Sequence, residues 1–281
     1  MSSSNLCRRE SCHNQMMRRV SLASVAMTRR RPLWPRLVPS LLLLGVGSWM
    51  VRGFVGLPQS SVSRNVSRAF FGGTPTGSET PLKDAPAQGA KHFVKGSSMY
   101  PPWPAGMEEA MFGMGCFWCS ENLYMKMPGV YSTQVGYAGG DIPNPSYRDV
   151  CTGASGHNEV ARIVFDPKEI SYVELLKVFW ERHDPTTLNR QGGDAGTQYR
   201  SGIYYYNEAQ REAAEATKAK YAAALKGVRR DTISTEIVPA PEFYYAEDYH
   251  QQYDAKPGNR QYCGLSPTGV KLDVTGEKAA A

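Results

Sequence analysis

A chain of 281 residues with 32 basic and 26 acidic side chains carries a formal net charge of +6 and is long enough for about two average domains. The surplus sits at one end: residues 1–82 hold eleven arginines, no lysine and two acids, so the remainder is net −3, which excludes a basic nucleic-acid face on that part. Four of the six cysteines are spread over about the last 170 residues, a stretch that buries a core of its own and excludes a disulfide-stapled miniprotein.

Taken in chain order, the first 71 residues read as a targeting leader. After the arginines at 29–36 comes an apolar run, Leu37 to Val51, with leucine at 41–44. It is short for a membrane span, which takes about 20 residues, and suits the apolar region of a signal peptide. Phe54 to Phe71 is rich in Ser and Arg without an acid, as transit peptides are. The two in tandem resemble the bipartite plastid leaders of algae with secondary plastids, Phe54-Val55-Gly56-Leu57-Pro58 standing where such a transit segment starts. A plastid destination is expected, with the mitochondrion, the secretory pathway and a membrane anchor as rivals. Residues 72–105 supply Gly, Pro, Ser, Thr and Ala with little periodicity, the composition of a linker ahead of a folded domain over 106–281.

In that domain the pattern predicts a strand over 109–114, a helix over 119–127 stopped by Pro128-Gly129, and a strand over 130–137. A long polar loop, a strand over 159–165, a helix over 171–183 and a strand over 199–206 follow. The order β-α-β-β-α-β matches the split arrangement of ferredoxin-like folds, so an α+β two-layer sandwich is expected, with extra helices and a long irregular, mobile C-terminal tail. Ser171 and Glu174 form a capping-box pair ahead of the stripe Val173, Leu176, Phe179 and Trp180. A third helix runs from Asn207 as N-cap through Glu208–Leu225 to Gly227, and a strand over 232–238 alternates with a period of two. The acidic-aromatic stretch 243–253 reads as helical. Nothing such as a heptad calls for assembly, and a monomer is expected.

The chemistry concentrates at Gly113-Met114-Gly115-Cys116-Phe117-Trp118-Cys119, where a cysteine stands between a strand and a helix. A helix N-terminus favours anions, so a thiol there can gain thiolate character. Cys116 and Cys119 have C-x-x-C spacing, open to a dithiol redox pair, half of a zinc site, or coincidence. Zinc would need two further ligands with no second pair to supply them, so no metal is expected. A general thiol-disulfide oxidoreductase using Cys116 and Cys119 is the enzyme alternative, and a membrane-tethered binding protein is a third class. Three loop segments, 144–148, 156–159 and 191–201, each put a tyrosine or carboxylate in a loop or at a strand edge.

Together these segments resemble the A-type peptide methionine sulfoxide reductases. The resemblance is carried by Gly-Cys-Phe-Trp at 115–118, Pro128 to Thr133, Gly136-Tyr137-Ala138-Gly139-Gly140, the three loops, Phe243 to Asp248, His250 to Tyr253, and Tyr262-Cys263-Gly264, in family order. It implies reduction of methionine S-sulfoxide, in proteins and as the free amino acid, with Cys116 as nucleophile and Glu159 as acid. Tyr147 and Tyr199 are implied as donors to the sulfoxide oxygen, Asp194 as a polar group of the same pocket, and Phe117 and Trp118 as the cradle of the methyl group. Cys116 would pass through a sulfenic acid to an intramolecular disulfide, reduced by thioredoxin with electrons ultimately from NADPH or ferredoxin, and no bound cofactor. Many members carry a second tail cysteine where this chain reads Gly269-Val270-Lys271-Leu272. The resolving residue is therefore Cys263 or Cys119; a mobile tail favours Cys263, since Cys119 is expected to point away after one helical turn.

Overall fold

The structure is a computed structural model, and it describes residues 77–228 and 232–275. The leader expected over 1–71 lies outside the described residues. The folded unit is built on β1 (Glu108–Met114), β2 (Val130–Ala138), β3 (Asn158–Phe165), β6 (Ser201–Tyr205), β7 (Glu236–Pro239) and β8 (Phe243–Tyr245). They form one sheet in the order β7-β6-β1-β3-β2-β8, antiparallel except where β7 runs parallel to β6. A two-stranded ribbon, β4 (Arg190–Gln191) with β5 (Asp194–Ala195), stands apart from it.

Every residue of β3 is buried, so both faces of the sheet are covered, as the near-continuous apolar run 160–165 requires. One face carries α1 (Phe117–Tyr124), α3 (Tyr172–Arg182) and α4 (Glu208–Leu225) over a core of Ala110, Phe112, Ile163, Leu176, Phe179 and Trp180. Phe112 meets Phe179 at 5.4 Å, and Trp180 Nε1 donates to the Thr217 hydroxyl at 2.9 Å, so the one polar atom of that ring is satisfied in the core. Ser171 and Glu174 close both halves of the capping box that starts α3, and the Asn207 side chain accepts from the Gln210 amide at the start of α4.

The opposite face is covered by the segment expected to be a linker. Met99 is buried, Tyr100 stacks on Tyr245 at 4.3 Å, and Ser97 Oγ donates to the Tyr131 carbonyl at 2.6 Å. Arg162, projecting from β3 on this face, lies over Phe243 at 4.3 Å and Trp103 at 5.4 Å and donates to Gln134 Oε1 at 2.8 Å. A strand buried on both sides needs a cover for its second face, and residues 90–103 supply it; they belong to the folded unit.

Five further expectations change, among them the strand expected over 232–238, which pairs only at Glu236–Pro239. The helix over 119–127 starts earlier, at Phe117, and ends at Tyr124. The polar loop holds a short helix, α2 (Tyr147–Cys151), with a capping box from Ser146 and Asp149, too short to show a periodicity. The stretch 243–253 is not helical: β8 pairs with Gly136–Ala138, two 3-10 turns follow at Asp248–His250 and Tyr253–Ala255, and Gln252 has a left-handed backbone with φ 46. Bulky aromatics complete the sheet edge, where their alternation serves pairing more than a helix. The tail is irregular as expected, but it is docked: Leu272 is 2% exposed in the core and its amide donates to Glu181 Oε1 at 2.9 Å. Among the described residues no helix is long and apolar enough to cross a membrane.

Because Phe179 is fully buried among rings, Phe179→Ala is expected to lower unfolding free energy by about 3–5 kcal/mol in urea titration. Phe93→Ala, at an exposed position, is expected to stay within about 0.5 kcal/mol of the unaltered protein. Equal effects of the two substitutions would contradict this assignment of the core.

Candidate active site

The site forms where β1 ends and α1 begins. Gly115 holds φ at 99, and a Cβ there would lie 2.6 Å from the Gln191 side chain, so the turn needs glycine on two counts. It delivers Cys116 to the N-cap of α1, with the sulfur's residue 6% exposed. The amide of Phe117, one of the donors a helix start leaves without an internal partner, goes to Glu159 Oε2 at 3.2 Å. Glu159 comes from the start of β3 and is 2% exposed. Burial pushes its carboxyl up to about 8 against the pull of the Phe117 amide, with the nearby charge of Asp194 raising it further. A carboxyl so placed is protonated at neutral pH and can give a proton away.

Tyr147 opens α2 and Tyr199 closes the 3-10 turn before β6. Both phenols are raised above their ordinary range, first by burial and then by Glu159, and both also sense Cys116, so the four groups share one locality. Raised phenols stay protonated and serve as hydrogen-bond donors. Asp194, on the β4–β5 ribbon, acts on Glu159 and Tyr199, and the Tyr262 hydroxyl donates to its Oδ1 at 3.3 Å. Thus Cys116, Glu159, Tyr147, Tyr199 and Asp194 come together from four segments of the chain.

Phe117 and Trp118 form the apolar side. Trp118 stacks on Tyr253 at 4.0 Å, nearly coplanar, and its Nε1 donates to His250 Nδ1 at 3.0 Å. Burial pulls His250 down to about 3, so the ring is neutral and accepts at Nδ1. His250 also lies against Phe117 at 5.1 Å and Tyr147 at 4.5 Å, joining both walls of the site. Glu247 supports the same wall, accepting from the Tyr137 hydroxyl and the Tyr147 amide, each at 2.9 Å. His250, Glu247 and Tyr253 had no assigned role in the sequence reading; the signal was the dense aromatic-acidic run 243–253, misread as a helix.

The sulfurs are arranged differently from the expectation. Cys119 does not point away: its Sγ lies within hydrogen-bond reach of the sulfurs of both Cys116 and Cys263, and donates to the Tyr262 carbonyl at 3.3 Å. Those two sulfur contacts, with burial behind them, hold the Cys119 thiol well above the usual range, whereas the Cys119 contact pulls exposed Cys263 down to about 6. The tail reaches this position because Gly264 leaves room for the Asp194 carboxylate; a Cβ there would sit 2.3 Å from Oδ2. Among the described residues no three His, Cys, Asp or Glu side chains converge as a metal ion would need.

A family model described as peptide methionine sulfoxide reductase matches residues 108–279. A peptide methionine sulfoxide reductase MsrA of Synechocystis sp. is 59% identical over 184 residues, covering 66% of this chain and 82% of that one. One of Nostoc sp. is 54% identical over 213 residues, covering 73% and 96%. Among solved structures, methionine sulfoxide reductase A of Corynebacterium diphtheriae superposes with a TM-score of 0.59 at 39% identity, covering 68% of this chain and 95% of that one. Mxr1 of Saccharomyces cerevisiae in reduced form gives 0.53 at 34% identity, covering 61% and 97%. A match that runs from β1 into the tail and so takes in every group gathered around Cys116 places this chain in the peptide methionine sulfoxide reductase family.

Proposed function

We propose that this enzyme reduces methionine S-sulfoxide, free and in proteins, at Cys116. The observation that carries the reading is the buried Glu159 carboxyl, pushed up to about 8 beside a thiol at a helix N-terminus. The thiolate of Cys116 attacks the sulfoxide sulfur, Glu159 protonates the oxygen, and Tyr147 and Tyr199 donate to it as charge develops there. The S–O bond breaks as oxygen passes to Cys116; methionine leaves two electrons richer and Cys116 is left as a sulfenic acid. With the methyl group against Phe117 and Trp118 and the oxygen on the donors, a chiral sulfur directs the rest of the substrate out of the site, with Cys116 in line for attack, in one epimer only.

Recycling is read as a two-step relay. Cys119 attacks the Cys116 sulfenic acid: the S–S bond forms as the S–O bond breaks, and the Cys119 thiol proton goes to the departing hydroxide, which leaves as water. Cys263 then attacks Cys119, freeing Cys116 as a thiol and moving the disulfide to the surface. The position of the Cys119 sulfur between the other two supports this route, and so does the exposure of Cys263, which suits exchange with a dithiol protein such as thioredoxin. The surrounding fold is read as a ferredoxin-like sandwich, supported by the order β6-β1-β3-β2 of its four central strands. Delivery to a plastid rests on the leader's composition alone, and a fusion of residues 1–105 to a fluorescent protein tests it: import into another compartment overturns it.

Three outcomes are expected. With separated epimers and a thioredoxin system, the S form alone yields methionine, and Cys116→Ser abolishes the yield; turnover of the R form, or none of either alongside disulfide reduction, would move the assignment to the general dithiol oxidoreductase.

Because Glu159 must hold a proton, kcat/KM is expected to fall as pH rises through about 8, and Glu159→Gln to lose about 10²–10⁴-fold together with that limb. The same raised pKa stabilises the folded state below the carboxyl's unfolded value and ceases to do so above about 8. An alkaline limb that persists in Glu159→Gln would assign it to another group.

In single turnover with methionine S-sulfoxide, Cys263→Ser is expected to trap a Cys116–Cys119 disulfide, whereas Cys119→Ser accumulates the sulfenic acid, both read by peptide mass. A Cys116–Cys263 disulfide formed at full rate in Cys119→Ser would replace the relay by direct resolution.

A further inference from the structure

Behind the aromatic wall runs a buried polar chain that begins ahead of the family match. Glu121, on α1, is 1% exposed and its carboxyl accepts from the Gln252 amide at 2.7 Å, from Gln252 Nε2 at 2.8 Å and from the Thr133 hydroxyl at 2.9 Å. Thr133 Oγ1 in turn lies 2.8 Å from Nε2 of His92, itself 1% exposed. Thr133 has one proton and spends it on Glu121, so its oxygen accepts from His92, which therefore carries hydrogen on Nε2. His92 Nδ1 is then an acceptor, and the amides of Val94 and Lys95 both donate to it at 3.1 Å. Burial, with Lys95 a smaller influence, pulls His92 down to about 4, in keeping with a neutral ring. One arrangement of hydrogens satisfies every atom.

The far end of the chain is Gln252. Its Oε1 accepts from the Phe93 amide at 3.2 Å, and its backbone is left-handed, a conformation that a non-glycine residue holds only where its surroundings fix it. On either side of it stand His250, which accepts from Trp118, and Tyr253, which stacks on Trp118. We propose that His92, Thr133, Glu121 and Gln252 form a latch through which residues 90–100 position Trp118, and with it the fit of the substrate's methyl group. His92, Thr133 and Glu121 are positioning residues: they touch neither substrate nor the reacting sulfur.

The inference rests on Trp118 cradling the methyl group, so its test has one arm with substrate and one without. The full chain is compared with His92→Ala, His92→Gln, Thr133→Val and Thr133→Ser for single-turnover reduction of methionine S-sulfoxide, for thermal unfolding, and for Trp118 emission, taken as the difference from a Trp118→Phe partner of each variant. His92→Ala and Thr133→Val are expected to raise the half-saturating sulfoxide concentration about tenfold, leave the saturated rate within about twofold, and shift Trp118 emission, as loss of a buried hydrogen bond implies. Gln at 92 and Ser at 133 retain a donor and a hydroxyl and are expected to restore both readouts. A lower melting temperature with half-saturation and emission unchanged would reduce the latch to a stability brace and overturn the proposal. Should His92→Ala not fold, the Thr133 pair decides the matter. If the unaltered enzyme reduces no sulfoxide, the proposed function fails, and Trp118 emission still shows whether the latch sets that ring.

Discussion

The hydrogen bond from the Phe117 amide to Glu159 joins the two elements on which the site depends, the start of α1 and the start of β3. It satisfies a helix-end donor that would be costly to bury alone, and it puts a carboxyl beside the thiol at the N-cap. The carboxyl is also kept from water by a sheet covered on both faces, and that desolvation is the largest cause of its raised pKa. A thicker hydration shell at β3 would lower the pKa and remove the proton. Fold and chemistry therefore meet in one constraint: the strand that carries the acid has to be central, and a central strand has to be roofed twice.

That double roofing explains why the segment before β1 has to fold. Residues 90–103 cover the face away from the helices and set Tyr100, Trp103 and the Arg162 guanidinium against the β8 aromatics. Burial of Arg162 there is tolerable because its donors meet Gln134 and Tyr245 and its plane meets rings, with Glu109 3.7 Å away. The same stretch carries His92, so the segment that seals the sheet also reaches the rear of the active-site wall.

Strongly periodic or capped elements were legible in the sequence. The Ser171/Glu174 box, the α4 start at Asn207 and the apolar run of β3 each announce themselves within a few residues, because helix caps and burial are local in cause. Cys116, Glu159, Tyr147, Tyr199 and Asp194 were legible through a resemblance of motifs, and the fold brings them together. What was not legible depends on pairing across the chain. Phe243 to Tyr245 become a strand only because Gly136–Ala138 offer an open edge. The direction of the Cys119 sulfur depends on the helix being capped at Cys116: three residues at about 100° each bring position 119 back to the face of position 116.

The arrangement of the three thiols follows from the same physics as the acid. The neighbouring Cys116 and Cys263, and then burial, hold the Cys119 thiol above the usual range, so in the resting state it is less ionised than Cys263. Cys263 is exposed, and its contact with Cys119 pulls its thiol down to about 6. Exchange is fastest when the attacking thiol's pKa lies near ambient pH, a condition that the tail cysteine approaches and the buried one does not. In the relay proposed above, Cys119 therefore attacks with its proton going to the departing hydroxide, and the Cys263 thiolate attacks Cys119 only once the first disulfide has formed. Docking of the tail through Leu272 and the close approach of Gly264 to Asp194 hold that pair in register. The tail cysteine is thus held at the surface by a fixed contact, as the proposed exchange with a reductant requires.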